Sequence, residues 1–178
     1  GFCLLELRRP IEAGQAFQLA LLRARYASTG YQDAVFGEAI AALASEQTDK
    51  AAHAATKGPL DRGRRVQLGI DILTQRALAA YRDERYVEAI MYLNEREQIA
   101  PLQKDLMVLR GYAHFNLGQY EVADRLFRAV NETGPTPESR GALGVTTEQR
   151  VILPNLRGSV CESEPIGYCG YYQRTAID

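Results

Sequence analysis

An all-α fold of stacked helix–turn–helix units, an α-solenoid followed by an irregular C-terminal tail, is the class this sequence predicts. Three observations predict it. Apolar residues recur at helical spacing through the first 137 residues, as in GYAHFNLGQYEVADRLFRAV at 111–130. That period is interrupted by Gly118-Gln119-Tyr120, a turn signal between two short helices. The pattern then returns at a fixed shift: RALAAYRDERYVEAIMYLNEREQIAP (76–101) lies over RGYAHFNLGQYEVADRLFRAVNETGP (110–135), 34 residues on. The shift pairs Arg76 with Arg110, Tyr81 with Phe115, Tyr86 with Tyr120, Ala89 with Ala123 and Pro101 with Pro135. A bundle of merely similar helices is the rival architecture, but unrelated helices rarely share so many features in one frame.

Taken in order, the first unit (1–30) is a truncated copy. Gly1 falls on Gly111, Leu7 on Leu117, Ala13 on Ala123 and Phe17 on Phe127. A weaker second unit (31–68) holds Ala51 at the same place. The third spans 69–103 and the fourth 104–137, so the alanines are spaced by 38, 38 and 34 residues. In the fourth unit each residue has a physical task. Gly118 takes the positive φ that ends a helix. Tyr120 packs at the start of the next one. Ala123 is small where two helices approach closely, and Phe127 fills the space beside it. Pro135 stops the second helix. The connection ATKGPLDRGRRVQ (55–67) is irregular, with Gly58, Pro59 and Gly63. It reads either as a longer turn or as a basic anion-binding corner built from Arg62, Arg64 and Arg65; charge runs on turns are usually solvated, which favours the turn.

The tail (138–178) loses the helical period. Thr136 and Pro137 suit a helix start, as N-cap and first-turn residue. Beyond it Val151-Ile152-Leu153 is at most a short strand, cut by Pro154. This segment packs over the last unit or leads into a further domain. The chain opens at GFCLLEL, without Met and inside a helical pattern, so it reads as a fragment or a processed product.

The residues Gly111, Gly118, Tyr120, Ala123, Phe127 and Pro135, with Tyr86, Ala89 and Pro101 one unit earlier, resemble the tetratricopeptide repeat (TPR) pattern W-x2-L-G-x2-Y…A-x3-F…P. The tryptophan is absent throughout, with Leu73 and Met107 in its place, and Leu93 replaces the aromatic of the third copy. The resemblance covers residues 1–137 and implies a superhelix whose first helices line a concave binding face. Carried over by register, that face holds Phe36 and Ile40 from the second unit. The third contributes Asp71, Thr74, Gln75, Leu78 and Arg82, and the fourth Asp105, Val108, Tyr112 and Asn116. Mixed aliphatic, aromatic and polar residues suit an extended peptide or a packed helix. The lysine and asparagine clamp of chaperone cofactors is not present, since Thr74, Leu78, Val108 and Tyr112 stand at its positions. DLMVLRGYAHFNLGQYEVADRLF and DILTQRALAAYRDERYVEAI are also similar to the periplasmic TPR regions of bacterial outer-membrane exopolysaccharide exporters and phage-adsorption proteins. That implies a periplasmic or envelope location, with a polysaccharide as a further partner. The alternatives are a cytoplasmic adaptor and a subunit that self-associates through its repeat ends.

Composition narrows the field. Formal charge is −1 over 178 residues with both signs mixed, which argues against bulk electrostatic binding to nucleic acid. No stretch reaches the ~20 apolar residues of a membrane span. His53 and His114 sit in different units without acidic or cysteine neighbours at ligand spacing, so no metal motif is expected. There is no phosphate-binding loop, nucleophile elbow or zinc-protease motif. Asp83-Glu84 falls in a turn, without the burial that shifts an acid's pKa. The expectation is a non-catalytic protein with no cofactor. Cys3 aligns with Ala113 and reads as a small buried residue. Cys161 and Cys169 bracket ESEPIGY, where Pro165 and Gly167 favour chain reversal. Their disulfide would contribute about 2–3 kcal/mol in the loop-entropy model and imply an oxidising compartment; the other reading is two free thiols.

Overall fold

A computed structural model describes residues 1–134 and 139–146. Among these the regular secondary structure is all helix, with no strand. Eight helices come first: α1 (Phe2–Glu6), α2 (Pro10–Arg23), α3 (Thr29–Ala44), α4 (Thr48–Lys57), α5 (Arg62–Arg82), α6 (Tyr86–Ile99), α7 (Lys104–Asn116) and α8 (Tyr120–Glu132). Residues 139–146 are helical as well. Pro135, Thr136, Pro137 and the Cys161–Cys169 pair lie outside the described residues.

Two compact units divide at Gln103/Lys104. In the first, helices pack on their chain neighbours: α1 on α2, α2 on α3, α3 on α4, α4 on α5 and α5 on α6, with α3 also touching α5. Its core has two clusters. Ala13, Phe17, Ala34 and Ala41 join α2 to α3, with Leu4 and Leu5 packed against them. Val35, Ala39, Leu43, Ala51, Leu60, Leu68 and Ile72 join α3, α4 and α5. In the second unit α7 packs on α8, and Val108, Ala123, Phe127 and Val130 meet Ala142 of the 139–146 helix. Asn131 and Ser139 clamp that helix reciprocally: the Ser139 hydroxyl donates to Asn131 Oδ1 at 2.8 Å, and Asn131 Nδ2 donates to the Ser139 carbonyl at 3.2 Å.

One turn geometry recurs four times. Arg8, Glu46, Glu84 and Gly118 have φ of 56°, 59°, 60° and 74°. Each lies five residues before one of Ala13, Ala51, Ala89 and Ala123, and all four alanines are fully buried. The residue after each positive-φ position donates its N–H back across the turn: Arg9 to Leu4, Gln47 to Ala42, Arg85 to Ala80 (2.8 Å each) and Gln119 to His114 (2.9 Å). This is the hydrogen bond of a Schellman-type helix end, which satisfies a terminal carbonyl. The next helix then begins without a side-chain cap. α3 and α5 do have caps, from Ser28 Oγ to Tyr31 N–H and from Asp61 Oδ1 to Arg64 N–H.

The aromatic pairs repeat too. Tyr81–Tyr86 and Phe115–Tyr120 make edge contacts at 5.4 and 5.1 Å across equivalent turns. Phe2–Phe17 and Tyr112–Phe127 occupy another equivalent place at 4.8 and 5.1 Å.

Two expectations are corrected. Cys3 is exposed, because the five-residue α1 packs through Leu4 and Leu5 and turns Cys3 outward. Residues 62–67 belong to a helix rather than a turn: Asp61 caps α5 at Arg62, so that helix runs 21 residues and crosses the expected boundary at 68/69. Only 58–61 remain as the connection.

Glu84 sits at positive φ and is exposed. A left-handed residue with a Cβ costs about 1–2 kcal/mol, and part of that returns as the unfolded-state entropy of glycine. Glu84→Gly is therefore expected to raise stability by about 0.5–1 kcal/mol, read as a higher urea midpoint at unchanged m-value.

Candidate functional site

The sequence-predicted face divides between the two units. In the first, Asp71, Gln75, Leu78 and Arg82 follow i, i+4, i+7 and i+11 spacing along one face of α5. Phe36 and Ile40 lie on the neighbouring α3, half-buried against its core cluster. Leu78 is 41% exposed, and Arg82 is solvated with Glu46 3.7 Å away. Asp71 is half-exposed and accepts hydrogen bonds from Gln67 Nε2 at 3.0 and 3.2 Å. In the second unit, Asp105 and Asn116 are exposed at either end of α7, and Tyr112 is half-buried against Phe127.

Four of the chosen side chains are committed to structure. Val108 is a core residue of the second unit, packed with Ala123 and Phe127. Gln75 donates to the Leu43 carbonyl at 2.7 Å and accepts from the Thr48 hydroxyl at 3.1 Å, so it ties α5 to the α3–α4 turn. Thr74 accepts from Arg96 Nε at 2.9 Å. Phe36 carries the Arg64 guanidinium 5.4 Å from its ring centroid. What remains open on α5 is a short strip of Asp71, Leu78 and Arg82.

Two arginines of the basic corner are committed to structure, while Arg62 is exposed. Arg64 reaches Asp33 at 2.6 Å and Asp61 at 3.3 Å. Arg65 donates to the carbonyls of Ala55, Gly58 and Leu60 at 3.4, 3.5 and 3.1 Å, closing the C-terminus of α4. Gly58 is needed there, since a Cβ would stand 2.5 Å from the Ala54 carbonyl oxygen. Asp124 is the one buried carboxylate among the described residues. Arg128 engages it at 2.8 Å, and that hydrogen bond holds the arginine's pKa above its ordinary value.

A groove that sequence reasoning missed lies between α2, α3 and the start of α4, with a volume of about 150 Å³. Gly14, Ala41 and Ala42 leave it open, because small residues face one another across the two helices. Its wall carries Glu38, which accepts from Gln18 at 2.9 Å and pairs with Lys50 at 3.1 Å. Gln15 and Gln47 add primary amides at the rim. Paired charges and amides offer hydrogen bonds to a neutral polar group. Among the described residues no three His, Cys, Asp or Glu gather as a metal site, and no helix is long and apolar enough to cross a membrane.

No protein-family model, curated protein or solved structure matches this chain.

Proposed function

We propose that this chain is a non-catalytic, protein-binding scaffold of the tetratricopeptide type, serving a bacterial cell-envelope assembly or export machine. The observation that carries the reading is the fourfold turn: a positive-φ residue, a back-bonded N–H, and a fully buried alanine five residues on. A unit built this way buries one face against its neighbour and leaves another for a partner. The partner face is the strip of Asp71, Leu78 and Arg82 on α5, where an exposed aliphatic residue sits between an acid and a base. Such a strip fits an extended or helical peptide with one apolar anchor flanked by charges.

The two variants that test the face are Leu78→Asp and Arg82→Ala. Both side chains are exposed, so stability is expected to hold within about 0.5 kcal/mol. Affinity for a captured peptide is expected to fall about tenfold or more in Leu78→Asp, a loss of about 1.4 kcal/mol. Unchanged affinity in both variants, measured by calorimetry, would remove α5 from the binding face.

The envelope assignment has its own test. Alkylation mass spectrometry of the native protein, with and without reductant, is expected to find a linked Cys161–Cys169 peptide. Two freely alkylated thiols would instead support the cytoplasmic adaptor.

A further inference from the structure

The exposed face of α2 carries several large apolar side chains that the fold does not cover. Ile11, Gln15, Leu19 and Leu22 follow i, i+4, i+8 and i+11 spacing and therefore share one side of the helix. Ile11, Leu19 and Leu22 are 68, 57 and 84% exposed; beyond the helix Tyr26 is 69% exposed and its ring meets Tyr31 at 5.1 Å. The buried side of α2, Ala13 and Phe17, faces the other way into the core. The stripe is not featureless. Ile11 and Gln15 also form one wall of the α2–α3–α4 groove, so an apolar ridge runs beside a polar trough.

Most of the exposed charges around this ridge that make no ion pair among the described residues are basic, with Glu6 at the end of α1 the acidic exception. Arg8 lies just before α2, Arg23 in its last turn and Arg25 just after it; all three are exposed with no ion-pair partner among the described residues. Arg9 is neutralised by Glu12. Pairing α2 with the same helix of a second copy in antiparallel fashion would set Arg8 against Arg23 and Arg25 of that copy, a like-charge arrangement that disfavours self-association. A flat anionic membrane would satisfy the arginines but leave the groove unfilled.

We infer that this face docks an acidic amphipathic helix from another protein: its apolar side on Ile11, Leu19 and Leu22, its carboxylates toward Arg8, Arg23 and Arg25, and a neutral polar side chain in the groove. Helix-on-groove recognition of this kind reads apolar anchors at i, i+3 or i+4 and i+7. The surface is independent of the α5 strip and stands whether or not that strip binds a peptide.

The test uses the full chain and a synthetic peptide of about 18 residues, long enough to hold a helix, with Leu at a, d and e positions and Glu on the flanks. A companion peptide carries Lys in place of every Glu. Fluorescence anisotropy is expected to show binding of the Glu peptide that weakens as salt rises. Binding about tenfold or more weaker is expected in Leu22→Asp, in Arg23→Glu/Arg25→Glu, and with the Lys peptide. Circular dichroism verifies that each variant keeps its helix content. Equal affinity for the Glu and Lys peptides would overturn the proposal, as would undiminished binding in Leu22→Asp. So would tighter binding to phosphatidylserine-containing vesicles than to the peptide, or a concentration-dependent dimer abolished by Leu22→Asp.

Discussion

Phe127→Ala is expected to cost about 3–5 kcal/mol and to unfold the second unit under mild denaturant. The ring is fully buried among Val108, Ala123, Val130 and Ala142, and it is the largest side chain wholly removed from solvent among the described residues. Tyr112 meets it at 5.1 Å. Its other contact is more diagnostic. A Cβ on Gly111 would stand 2.4 Å from the ring, well inside van der Waals distance, and the ring it meets is fully buried. Gly111→Ala alone is therefore expected to destabilise by about 1–3 kcal/mol through overpacking, despite alanine's better helix propensity. In the Phe127→Ala background the sign is expected to reverse: the added methyl enters the cavity and the helix gains its alanine. A double-mutant cycle by urea denaturation reads the coupling directly. Additive effects would mean that Gly111 and Phe127 do not share the packing described.

The second large effect is expected at Arg96. Its side chain is 5% exposed, yet it carries a charge. Nε donates to the Thr74 hydroxyl at 2.9 Å and Nη1 to the Pro101 carbonyl at 3.1 Å. Thr74 in turn donates to the Ile70 carbonyl at 2.7 Å. Arg96 thus ties the last turn of α6 to α5 and to the chain that leaves α6. Hydrogen bonds from charged donors contribute about 1.5–3 kcal/mol each, and truncation also opens a cavity. Arg96→Ala is expected to lose about 2–4 kcal/mol. Arg96→Met keeps the aliphatic volume and removes the buried charge, so it is expected to lose less than half as much. The pair of thermal melts separates the two contributions: equal losses would put the whole effect in the polar ties and none in packing.

Much of this architecture was legible in residue identity because small and large side chains leave a mark on composition. Ala13, Ala51, Ala89 and Ala123 could be aligned by eye, and all are fully buried. Tyr81 and Phe115 could be paired with Tyr86 and Tyr120, and the rings meet. Gly118 announced its positive φ, whereas Arg8, Glu46 and Glu84 adopt the same backbone with no glycine to signal it. There the packing of the flanking helices outweighs the local preference. The start of α5 was hidden because Gly58, Pro59 and Gly63 look like one long break, while the decisive residue is the Asp61 cap.

The site was less legible for a related reason. Register assigns a residue to a face but not to a task. Gln75 and Val108 fall on the predicted face, yet one closes a turn and the other fills a core. The groove beside α2 escaped notice because its defining feature is missing volume at Gly14, Ala41 and Ala42, and such residues read from sequence as ordinary helix-packing positions.

We propose that this fold presents peptide-binding surface. Selection of a displayed random-peptide library on the immobilised chain tests it most directly, followed by calorimetry of the enriched sequences. The account predicts enriched peptides with an apolar anchor flanked by charges, micromolar Kd, and loss of binding in Leu78→Asp or Leu22→Asp. No enrichment over an unrelated helical protein, or enriched peptides whose affinity survives both substitutions, would contradict it.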